Sequence, residues 1–280
     1  MKRIKLIGAF AFGLLCIQMS PVNALDPVPM NAQTEINDNI SGKLVDRCAK
    51  VLKGEDKALC QLSAASGLAL AFCKRSKFKV GGLGKTKCYD FISEQLNNLA
   101  MLAAGNVPMP KTFEPIQSDI PCYREWNKKC YGYVQEFVGD AEFTENLYLK
   151  IIKSPQKKAL NTIGSVGAEQ AAKAECTKVA FTDLINQTNF GQFIKASKSP
   201  ERDNVIDSLA LINDFMFPGG GGAQLILDLQ GIMTKEGKFL VIDPDGVLKT
   251  DKPYEPSKGQ IAYCWHNFMQ TVLEYAKNVK

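Results

Sequence analysis

Histidine is almost missing: His266 is the single one in 280 residues. That excludes metal sites built on two or more histidines, the H-E-x-x-H metalloprotease site among them. No C-x-x-C pair occurs, which argues against a zinc ribbon or a thiol oxidoreductase. No G-x-S-x-G elbow supplies an activated serine, and no internal repeat is present. Past the N-terminus no apolar run is long enough to span a bilayer. Leu62–Cys73 comes closest and is interrupted by Ser63, Ser66 and Gly67. With 45% hydrophobic residues, 22 Gly and 13 Pro, the chain is too apolar to be disordered and too poor in Gly and Pro to be fibrous.

The chain starts Met1-Lys2-Arg3-Ile4-Lys5, runs apolar from Leu6 to Met19, and reaches Val22-Asn23-Ala24. A basic start, a short apolar stretch and small residues before a cut describe an export signal, expected to be residues 1–24 with cleavage after Ala24. Its compact form points to bacterial export, to the periplasm or beyond. Leu15 before Cys16 argues against a lipoprotein. Removing Lys2, Arg3 and Lys5 leaves 31 basic residues against 29 acidic, a net charge of +2 in place of +5. A near-neutral mature chain carries no electrostatic footprint for nucleic acid. No transmembrane segment is expected after cleavage.

Of nine cysteines, Cys16 leaves with the signal. Cys48, Cys60, Cys73, Cys88, Cys122, Cys130, Cys176 and Cys264 remain. An even number in a chain bound for an oxidising compartment reads as a disulfide framework, of unspecified connectivity.

Periodicity predicts a mainly α-helical fold: disulfide-stapled helical bundles with a small β-hairpin near residues 238–250. Residues 25–104 form a helical module with four cysteines. Its stripes are Ile36, Ile40, Leu44, Cys48 and Val51; then Leu62, Ala65, Ala69, Phe72 and Cys73; then Cys88, Ile92, Leu96, Leu99 and Ala103. Residues 105–121, with Pro108, Pro110, Pro115 and Pro121, read as a linker or long loop. Residues 122–280 form a second helical module. Pro155 and Pro200 mark helix starts with the preceding serine as N-cap, and the hairpin turns at Pro244-Asp245-Gly246. A final helix over 259–278 carries Ile261, Trp265, Phe268 and Val272 on one face.

Three segments invite chemistry. Val80-Gly81-Gly82-Leu83-Gly84-Lys85-Thr86 looks like a phosphate loop, but Lys79 occupies the first glycine position of the Walker pattern and the segment before it is predicted to be helix, not strand. A helix connector is expected there. Phe239–Leu248, with Asp243-Pro244-Asp245, resembles the first motif of haloacid-dehalogenase phosphatases, in which the first Asp is the nucleophile. That family places the motif early in an α/β domain, and here only a hairpin and one helix follow. Asp243 and Asp245 stay as candidate cation ligands, without the later carboxylates of a calcium loop. Cys264-Trp265-His266-Asn267 gathers a nucleophile, a base and an amide in four residues. On a helix, residues two apart point about 200° away from each other, so a local dyad is not expected and His266 reads as a boundary residue and a weak catalytic candidate.

The function expected from the residues is binding of a protein partner by an exported protein, with no cofactor and no evident catalytic motif. One alternative is a secreted hydrolase of peptide, amide or glycan bonds using His266 or a carboxylate pair, with Trp126, Tyr131, Tyr133, Tyr263 and Trp265 as possible sugar platforms. Another is a periplasmic inhibitor or immunity-type protein. The segments 105–121 and 218–256 are the expected contact loops.

Overall fold

The computed structural model describes residues 25–37, 48–53, 57–63, 65, 67–73, 88–118, 130–139, 141–146, 178–219, 222–227, 229–242, 244, 246–250 and 260–279. Among them are ten strands in three antiparallel sheets and six helices, so the expected helical bundle is corrected to a β-rich α/β arrangement.

The first sheet contains β1 (Lys50–Lys53), β2 (Lys57–Gln61), β3 (Leu68–Cys73), β4 (Thr112–Ser118) and β5 (Cys130–Glu136) in the order β1-β2-β3-β5-β4. Helix α1 (Met30–Asn37) lies on one face and α2 (Cys88–Ala104) on the other. Ile36, Cys60, Leu70, Phe72 and Val134 fill the α1 side, whereas Ala71, Ile92, Leu96, Leu99 and Tyr133 fill the α2 side. Both faces of β3 are therefore buried, and its sequence is continuously apolar for that reason. The helical spacing of Leu62–Cys73 was coincidental, because a short apolar run has no period that separates strand from buried helix. The first predicted stripe is corrected at its end, where Val51 belongs to β1; Ile36 lies on α1, and Ile40 and Leu44 lie outside the described residues. The third stripe is α2, as expected.

The proline-rich stretch 105–121 is not a plain linker. Residues 112–118 are β4, at the sheet edge, with Pro115 opposite Tyr133. An edge position tolerates proline because one side of the strand needs no ladder donor. A parallel bridge between Asp26 and Phe113 covers part of that edge.

The second core is built by α3 (Lys178–Asn186), α4 (Asn189–Ala196), α5 (Ser199–Met216) and α6 (Gln260–Asn278). With them are β6 (Ala141–Asn146), β7 (Ala223–Leu227), β8 (Gln230–Thr234), β9 (Phe239–Ile242) and β10 (Gly246–Thr250). Phe181, Ile194, Leu209, Leu225, Met233 and Phe268 are fully packed in it. Strands appear at both arms of the predicted hairpin, but they do not pair with each other: β9 pairs with β8 in the sheet β6-β8-β9, and β10 pairs with β7. The hairpin turn lies earlier instead, where Gly237 at φ +85° closes β8 onto β9 with its N–H on the Thr234 carbonyl. Pro200 does mark a helix start, that of α5, which begins one residue earlier than expected: Lys198 is the N-cap and Ser199 is already helical. Proline is tolerated throughout the first turn, where its missing N–H has no partner. Pro155 and the loop at 80–86 lie outside the described residues.

The two halves meet along α2. Its sheet-facing stripe is Ile92, Leu96 and Leu99, and its Leu102, with Val107 just beyond, enters the second core. The Pro108 carbonyl accepts from the Val241 N–H at 2.8 Å.

Candidate functional site

The four-residue constellation sits on α6, and the structure separates its members. Cys264 is buried and disulfide-bonded, so it presents no thiol. Trp265 is buried with its ring edge-on to Phe268, and Tyr133 is buried in the first sheet; neither is a sugar platform. His266 is half-buried at the rim of the core, its ring 4.9 Å from that of Phe217 in an edge-to-face contact. Burial pushes its pKa below the usual histidine range, because desolvation penalises the imidazolium. This carries a stability consequence of definite sign. The unfolded chain takes up the proton at higher pH than the folded chain. The stability that neutral His266 contributes is complete above the unfolded value near 6.5 and is lost as pH falls through the lower folded value. Between about pH 8 and pH 5, the urea midpoint should fall further for the wild type than for His266→Gln. An equal fall would place the pH sensitivity elsewhere.

Asp243 and Asp245, the candidate cation ligands, lie outside the described residues, but the Pro244 between them is described and buried. Its carbonyl accepts from Gln95 Nε2 at 3.2 Å and from Asn98 Nδ2 at 3.4 Å. Gln95 is 3% exposed, and its Oε1 is buried without a hydrogen-bond partner. Gln95, Asn98 and Leu102 thus form a second stripe on α2, one that meets the turn between β9 and β10. Hydrophobic periodicity misses it because two of its three members are amides. Among the described residues no group of three His, Cys, Asp or Glu is placed to hold a metal ion.

A buried charge also escaped the sequence reading. Lys57, at the head of β2, is only 8% exposed; its ammonium donates to the Tyr133 phenol at 2.9 Å and lies 5.6 Å from that ring's centre. The pair ties β2 to β5 on the α2 face of the sheet. Strand alternation would have revealed it: Ala58 and Cys60 face the α1 core, while Lys57 falls on the face of Leu59. Glu145 on β6 is buried as well, and its carboxylate accepts from the Phe190 N–H at 2.9 Å, in the first turn of α4. There it complements the positive end of the helix.

β10 is an edge strand among the described ones. Its partner β7 lies over the core with Ala223, Leu225 and Ile226 buried. β10 runs antiparallel beside it from Gly246 opposite Leu227 to Thr250 opposite Ala223. Val247 packs on the core, whereas Leu248, 41% exposed, and Lys249 face outward. Among the described strands β10 has β7 as its one neighbour. A two-stranded sheet is marginal by itself and offers backbone donors and acceptors to a third strand. Among the described strands β1, β4, β6, β7 and β9 are edge strands as well; on β1, Lys50 and Lys53 stand on either side of Val51-Leu52, the pattern that discourages strand addition.

No protein-family model matches the chain, and no curated protein matches it. Among the described residues no helix is long and apolar enough to cross a membrane.

Proposed function

We propose that the protein is exported and acts by binding a protein partner, an extended segment of which adds to the edge of β10 that pairs with no described strand. The observation that carries this reading is that β7 is the one described strand paired with β10, with Leu248 41% exposed on it. In strand addition the backbone supplies affinity and alternate side chains supply specificity. Here Leu248 would seat an apolar side chain, and Lys249 favours an acidic residue opposite it. The bonded cysteines, Cys48–Cys60 in the first sheet and Cys264 on α6, suit an oxidising compartment. The expected contact loops are replaced in this reading by a strand edge, since 112–118 and much of 218–256 are sheet.

A photo-crosslinking residue at position 248, with a matched probe at Leu211, tests it in the producing cell. Leu211 is 43% exposed but lies on α5, so it controls for apolar exposure alone. A discrete protein adduct at 248 that is lost on changing Lys249 to Glu, with none at 211, is the expected result. Identical adduct patterns from both positions would overturn the reading.

A further inference from the structure

We infer, on the export reading above with its cut after Ala24, that residues 25–28 are a strap that closes the edge of β4 only once the leader has been removed. Cleavage then comes first and completion of the first sheet second. The strap passes from one face of the sheet to the other. Leu25, 7% exposed, is buried on the α2 side with Ala71, Ile92, Leu96 and Tyr133. Val28 is buried on the α1 side with Ala32, Ile36 and Phe113. Between them the chain crosses the rim of the sheet at Asp26, which is bridged in parallel to Phe113 and whose carbonyl accepts from the Glu114 N–H at 2.9 Å. The Asp26 carboxylate meets the Lys111 ammonium at 2.7 Å, and the Val28 carbonyl accepts from Gln33 Nε2 at 3.2 Å.

The residues that follow the cut are thus held by burial on two faces and by backbone hydrogen bonds. A peptidase takes its substrate as an extended strand whose backbone groups are free to pair with the enzyme. A cut directly before Leu25 draws residues 25–28 into that strand. For the docked strap this means that Leu25 leaves the core and the Asp26 carbonyl gives up its partner. A docked chain is therefore cut only through its locally opened form, at a rate scaled by that form's small population. Once docked, the strap also occupies ladder positions on β4 that a foreign strand could otherwise use. The order is one-way: a chain cut early docks Leu25 and Val28, and a chain folded early keeps its leader.

The test uses the full-length chain with residues 20–24 replaced by the recognition sequence of a protease that reads only the residues before its cut. A second copy of that sequence, with a short tail, follows Lys280. The folded chain should be cut before Leu25 more than about tenfold slower than at the C-terminal copy, while in urea the two sites are cut alike. Glu114→Pro, which removes the N–H given to Asp26, should narrow the gap without altering the residues around the cut. Equal rates at the two sites of the folded chain would overturn the ordering and leave the export reading standing. The mass of the exported chain checks that reading separately. A mature chain beginning at Leu25 is expected, and any other first residue, or an uncut chain, would overturn both.

Discussion

Phe268→Ala is expected to cost about 3–5 kcal/mol, the range for removing a buried aromatic ring. Phe268 is almost wholly buried, and its ring sits edge-to-face with Phe181 at 5.4 Å and with Trp265 at 5.6 Å. The alanine variant loses the transfer free energy of the ring and leaves a space that α3 and α6 cannot close without sliding past each other. Against a typical total of about 5–15 kcal/mol, this is a large share. At roughly 2–4 °C per kcal/mol for a chain of this size, the melting temperature should drop by about 10 °C. Phe268→Leu keeps most of the volume and should cost about 1.5 kcal/mol or less. Calorimetry on the two variants beside Leu211→Ala, an exposed position, checks the claim. Equal midpoints for Phe268→Ala and Leu211→Ala would mean that α3 and α6 do not share a core.

The second large effect belongs to a glycine. Gly191→Ala should destabilise by about 3 kcal/mol, because the added Cβ would overlap the Ile185 carbonyl oxygen, a backbone atom that cannot rotate aside. That oxygen is already held from two directions: it accepts from the Thr188 N–H at 3.0 Å and from the Thr188 hydroxyl at 2.7 Å. The same hydroxyl accepts from the Gly191 N–H at 3.0 Å and caps α4. The turn from α3 to α4 is therefore built around a residue with no side chain. Gly219→Ala is the matched control, with nothing within 4 Å of its added Cβ and an expected change within about 0.5 kcal/mol. Denaturant midpoints that agree for the two substitutions would show that the turn can open at little cost.

Some elements of this fold are legible from spacing alone, and α2 and α6 are the clearest. Ile92, Leu96 and Leu99 repeat at helical intervals and do cover one sheet face; Trp265, Phe268 and Val272 do the same for α6. The second stripe of α2 was invisible because Gln95 and Asn98 contact a backbone carbonyl, and periodic burial of amides leaves no hydrophobic signal. β3 was misread for the opposite reason. With Leu70 and Phe72 under α1 and Ala71 under α2, every position is apolar and strand alternation disappears. Of the candidate sites, His266 was placed correctly at the boundary of the apolar face. Lys57 was missed, since a lysine gives no hint of burial until its strand is known.

Local conformations whose signals span a few residues are legible in the sequence: the helices α2 and α6, the start of α5 near Pro200, and the extended segments on either side of Pro244. The scarcity of histidine chemistry is legible there too. The tertiary structure alone decided which strands pair, sending β9 to β8 and β10 to β7 instead of to each other. It decided that His266 borders Phe217, whereas the bonded state of Cys264 was already expected from the cysteine set. The physical reason is the range of the interactions. Helix hydrogen bonds and turn preferences close within about four residues and leave their mark in adjacent side chains. A strand's hydrogen bonds close only against a distant strand, so its own residues specify extension and a buried face but not the partner that satisfies them.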